Sequence, residues 1–149
     1  MHFYVSGRKG VPGSPASGVC STGLATLRRD GFASMESGAN SATLTTRPVT
    51  FKGKRLFVNA DVAGELRAAV LDQAGAVVPG FFEDNCAAWK GDSTRQRLEW
   101  PGADLAQLAD KPVRFRFAMR DGRLYSFWVT PDESGASNGY YAGGLAEKN

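Results

Sequence analysis

The sequence predicts an all-β protein, a two-sheet antiparallel β-sandwich of jelly-roll-like form. Short segments of alternating apolar and polar residues recur at close intervals, 18 glycines and 7 prolines punctuate them, and no long helical periodicity intervenes. With 149 residues the chain can bury a real core without staples.

Phe3, Tyr4 and Val5, followed by Ser6, Gly7 and Arg8, form one short strand cut off from its sheet. Gly10 to Gly23 holds two prolines, four glycines and three serines, the composition of a linker. Thr22 to Met35 opens the sandwich, interrupted by the tight-turn pair Asp30 and Gly31. In Ala42 to Arg47, Ala42, Leu44 and Thr46 alternate with Thr43, Thr45 and Arg47, and Pro48 ends the strand. Lys54 to Asp61 and Glu65 to Asp72 read as two strands with inward sets Leu56, Val58, Ala60 and Leu66, Ala68, Val70. Asp72 to Gly75 is a turn, and Pro79 and Gly80 make Val77 to Phe82 an edge or bulged strand. Residues 83–92 form a polar loop carrying Trp89, Ser93 to Trp100 is a strand, and Pro101 to Lys111 holds one helical turn around Leu105 and Leu108.

The strongest local expectation is a hairpin from Val113 to Thr130, with Asp121 and Gly122 as the two positive-φ residues of a type I′ turn. Its register sets Met119 opposite Leu124, Phe117 opposite Ser126 and Phe115 opposite Trp128, all on the core face. The other face then carries Arg114, Arg116, Arg120, Arg123, Tyr125 and Phe127, a mixture that calls for a covering partner.

Charge and composition exclude several classes. The net charge is +3, but residues 1–75 hold nine basic and five acidic groups and residues 76–149 nine and ten, too mixed for a phosphate-tracking stripe; no nucleic-acid partner is expected. No apolar run reaches the roughly 20 residues of a membrane helix, so no membrane partner is expected. Met1 leads directly into HFYVSGR rather than a basic segment and an apolar core, which points to a segment of a longer, secreted parent. Cys20 and Cys86 leave two readings, buried free thiols or a single disulfide.

Sugar sites in β-sandwich modules pair a flat aromatic ring with polar groups that bond hydroxyls. Trp89 with Asp84, Asn85 and Asp92 fits that pattern, and Tyr125 is a further candidate; the competing reading folds Trp89 back as a cap on the sandwich. Glu83, Asp84, Asn85 and Asp92 could supply oxygens to calcium, although no loop has EF-hand spacing, and no resident cofactor is expected. Asp92, Ser93, Thr94 and Arg95 read as a structural corner, with Asp92 capping the strand and Arg95 paired to a carboxylate such as Asp30. His2 is the only histidine and sits at the chain start, so neither a Ser/His/Asp nor a Cys/His arrangement can be assembled.

TGLATLRRDGFASM, GDSTRQRLEW and GRLYSFW together resemble the C-terminal β-sandwich module of bacterial glycosidase-like proteins, from about Phe3 to about Tyr141. In those proteins the module follows a five-bladed β-propeller related to glycoside hydrolase families 32 and 43. The resemblance implies that residues 1–21 are the end of the propeller plus a linker and that 22–149 are the module. Arg28, Asp30 and Arg95 within these motifs read as structural residues, and the resemblance implies a catalytic apparatus confined to the propeller. The expected function is therefore non-catalytic: glycan binding or buttressing of the propeller, or a purely interdomain or dimerisation role, with a stand-alone glycosidase a remote alternative. The expected partners are a polysaccharide or oligosaccharide, the propeller and, for the isolated module, a second copy; the expected location is extracellular or periplasmic.

Overall fold

The structure is a computed structural model that describes residues 1–10, 18 and 20–136. Most of the expected linker and everything after Ala136 lie outside the described residues. The fold is all-β with two antiparallel sheets, as the sequence predicts. Chain contacts divide it into two compact units, residues 1–32 and 33–149.

In the first unit β1 (His2–Arg8) pairs antiparallel with β2 (Cys20–Thr26), with His2 opposite Thr26 and Arg8 opposite Cys20. The apparent orphan strand therefore takes its partner from the segment expected to open the sandwich. Leu27 N–H donates to Met1 O at 2.9 Å and closes the ladder. Asp30 has φ +50, as its turn-forming pairing with Gly31 predicts.

The second unit is one sheet built on two 17-residue strands, β5 (Arg55–Leu71) and β7 (Arg114–Thr130). β6 (Trp89–Leu98) lies along β5, while β3 (Met35–Ser37) and β4 (Ala42–Thr45) share the other edge of β7. Two expected breaks are absent. The two strands expected within Lys54 to Asp72 are one, Arg55–Leu71, and β7 runs straight through Asp121 and Gly122, so the hairpin does not form; β7 pairs instead with β5 along its whole length.

The turn signals have a different use: they mark a corner. Between Val62 and Glu65, β5 spends Ala63 and Gly64 where β7 spends Asp121 alone, and Asp121 has φ +51. β6 crosses the same line at Gly91, φ +141, and Asp121 N–H donates to Gly38 O at 2.8 Å between β3 and β4. A Cβ on Gly64 would stand 2.2 Å from Arg120 O, so only glycine allows the two backbones to approach this closely. Bulges and glycines at such positions bend a sheet back over itself.

The bend makes two layers from one sheet and buries the core between them. Leu56, Val58, Ala60, Leu66, Ala68 and Val70, the expected inward sets of β5, are all at most 1% exposed. Phe115, Phe117, Met119 and Leu124 join them from β7. Phe127 and Trp128 exchange their expected places, because a second irregularity beside Tyr125 shifts the alternation. Phe127 packs on Phe115 and Phe117, with ring centroids 5.7 and 5.2 Å apart, whereas Trp128 stacks on Phe57 at 5.8 Å.

The smaller expectations fare variously. The Asp72 turn forms, with Ala76 N–H donating to Asp72 Oδ1 at 2.9 Å. Val77 makes only an isolated bridge to Leu71, although Val70 N–H also reaches Phe81 O and Phe81 is buried. The helical turn is a 3-10 helix, Leu105–Leu108, capped by Asp104 and buried at both leucines. Trp100 is core, and its Nε1–H donates to Ala68 O at 2.9 Å.

Candidate functional site

Trp89 is not in a loop but is the first residue of β6, opposite Leu66. It is half-buried and packs against the core. Its indole lies over Gly91, whose would-be Cβ is 3.4 Å from Trp89 Cζ2; the missing side chain gives the ring its seat. The turn before it is held from two sides. Arg67 donates through Nη1 to Cys86 O at 3.0 Å and through Nε to Glu65 at 2.6 Å, and Asn85 Nδ2 donates to Gly80 O at 2.7 Å. Asp84 is exposed on this turn.

The corner separates the remaining sugar-site residues from Trp89. Asp92 lies inside β6 opposite Asp61, not at a strand start, and Asp61 in turn is opposite Arg123 of β7. Tyr125 is two residues beyond Arg123, whereas Trp89 aligns through Leu66 with Met119 on the other side of the corner. Asp84 and Asn85 stay on the turn that precedes Trp89, with Asn85 engaged in holding that turn. Among the described residues no three of His, Cys, Asp and Glu converge as a metal site.

The DSTR segment is structural in a way the sequence does not specify. Gln96 pairs with Val58 and Ser93 with Ala60, so Thr94 and Arg95 together oppose Asn59 in a β-bulge. Ser93 Oγ accepts from Arg95 N–H at 3.1 Å. Arg95 itself is exposed, so its substitution does not strand a buried partner. Asp30 ion-pairs with Arg29 at 3.7 Å, and Arg28 is half-buried in the same first unit. Neither Cys20 nor Cys86 is in a disulfide; Cys20 is exposed, while burial of Cys86 raises its thiol pKa.

The expected arginine face of β7 is partly satisfied within the chain, and Arg116 Nε has no hydrogen-bond partner among the described residues. Arg114 donates to Thr46 O at 3.2 Å, Arg116 lies 4.0 Å from Glu83, and Arg123 ion-pairs with Glu36 at 2.9 Å.

A second cluster was not foreseen from the sequence. Register places Arg97 opposite Phe57, Phe57 opposite Trp128, and Arg55 opposite Thr130. The segment Pro131 to Ala136 returns over this row, pinned by Trp128 Nε1–H to Gly135 O at 3.1 Å, with Gly135 buried against Phe57. Its Glu133 carboxylate accepts from Arg55 Nε at 3.0 Å and Nη2 at 2.6 Å and from Arg97 Nη1 at 3.2 Å, with Lys54 Nζ at 3.9 Å. Arg55 and the other two cations hold the Glu133 pKa below its ordinary value. Alternation on β5 and β6 could have placed Arg55 and Arg97 on one face, but nothing local links them to a glutamate 78 residues beyond Arg55.

Compared with protein-family models, with curated proteins and with solved structures, the chain matches none.

Proposed function

We propose that the chain is a non-catalytic β-sandwich module associated with carbohydrate, binding a glycan at the β6 start through Trp89, with Asp84 exposed on the turn that precedes it. The observation that carries this reading is Trp89 itself: an indole seated over Gly91, only half-buried, at the end of a turn fixed by Arg67 and Asn85. A ring held in advance loses little freedom on stacking against a sugar. The motifs that resemble the glycosidase-like module support the same reading, and that resemblance also makes a secreted bacterial parent the proposed setting. Screening the protein on a glycan array, followed by the Trp89→Ala variant on any glycan retained, tests it.

One observation favours a second reading, a buttressing or interdomain role. The first unit exposes Tyr4 at 83% and Leu24 at 56% on a sheet of only two strands, and Phe32 at 72% beyond it. Such a sheet is marginal alone and gains stability from a further strand or a covering surface. Sedimentation of the isolated protein would distinguish a second copy from another domain as that cover.

A further inference from the structure

The cationic cluster around Glu133 faces more than Glu133. Lys54, Arg55 and Arg97 also line a cleft of about 320 Å³, between the start of β5 and the end of β6, in which Glu99 is the only acidic lining residue among the described residues. Arg97 Nη2 pairs with Glu99, while Arg97 Nε, like Arg116 Nε, is buried without a hydrogen-bond partner among the described residues. Guanidinium forks match carboxylates in plane, and Glu133 shows that these two arginines take one.

We propose that this cleft binds a small carboxylate-bearing ligand and that Glu133, which lies outside the cleft lining, is a tethered competitor for the same two arginines. The volume lies at the low end of small-molecule sites, about 300–1,000 Å³, which suits a single acidic ring such as a uronic acid, free or within an acidic chain. Pro101 and Ala103, which are not buried, supply apolar contacts for such a ring. Glu133 is displaceable because its carboxylate is 57% exposed, where water and salt weaken ion pairs. The proposal is independent of Trp89, which lies at the opposite end of β6.

The test is an NMR titration of the arginine Nε–Hε signals of the full chain with sodium glucuronate, oligogalacturonate and glucose, each to about 10 mM, where a millimolar ligand is mostly bound. The Arg55 and Arg97 signals should shift and saturate with the acids and stay fixed with glucose. Saturation by both acids assigns the free acid as ligand, and saturation by oligogalacturonate alone assigns the acidic chain. Removing the tethered competitor in Glu133→Gln should tighten binding about tenfold, since apparent affinity scales with the fraction of open sites. Arg97→Gln should lose binding. Unsaturable shifts in the wild type, or a folded Glu133→Gln that binds no tighter, would overturn the proposal and leave the cluster as an anchor for residues 131–136. Should Glu133→Gln fail to fold, the wild-type titration decides alone.

Discussion

Phe115 and Phe127 belong to the same β-strand, twelve positions apart, yet their ring centroids are 5.7 Å from each other. An extended strand would separate them by about 40 Å. The contact exists because β7 turns the corner at Asp121, bringing its two halves face to face across the core. Phe127→Ala should therefore cost about 2–3 kcal/mol, below the 3–5 typical of a fully enclosed phenylalanine because Phe127 is half-buried. Urea melts check this; a loss under 1 kcal/mol would mean that the layers do not meet at this ring.

The corner itself is tested at Gly64. A Cβ there would lie 2.2 Å from Arg120 O and 2.9 Å from its carbonyl carbon, both backbone atoms that cannot swing away. Gly64→Ala should destabilise by about 2–4 kcal/mol, as overpacking against fixed atoms does. A melting temperature unchanged from wild type would show that the strands part at this point.

The corner also explains what was legible in the sequence. Alternation identified the inward residues of β5 correctly, because period-two burial survives any number of bends between segments. Asp121 does take positive φ, but a type I′ turn and a corner in a continuous strand ask for the same residues, and only long-range pairing with β5 decides between them. The same ambiguity turned Ala63 and Gly64 into an apparent break. Trp89 stood out by residue type, whereas its seat over Gly91 and the separation from Asp92 and Tyr125 depend on the corner. The Glu133 cluster was illegible because it unites three distant stretches of chain.

Thiol chemistry should follow burial. Cys86 is 1% exposed and its pKa is raised by desolvation, although nearby Arg67 opposes the rise; Cys20 is exposed. Iodoacetamide should modify Cys20 alone in the native protein and both residues in denaturant, because the reactive species is the thiolate. Mass spectrometry reads the outcome, and equal labelling in native buffer would contradict the burial of Cys86.

Acid should loosen the cover over Phe57 and Trp128. Glu133 is held below its ordinary pKa of 4.5, first by its hydrogen bond with Arg55, and Asp132 below 3.8, first by its bond from Ser134 N–H. A depressed carboxylate contributes stability that is complete above its unfolded pKa and is lost as pH falls through the folded one. Melting temperature should therefore fall as pH drops below about 4.5, and less steeply in Glu133→Gln than in wild type. Parallel curves would show that Glu133 does not report on folding.

Glycan recognition by Trp89 is the central claim, and affinity electrophoresis in gels carrying neutral and acidic polysaccharides tests it most directly. Trp89 is half-buried, so Trp89→Ala should remain folded, at a cost of about 1–2 kcal/mol. The wild type should be retarded by at least one polysaccharide, and Trp89→Ala should run freely in that gel while keeping a cooperative melt. Free migration of the wild type in every gel, or equal retardation of the folded variant, would contradict the account.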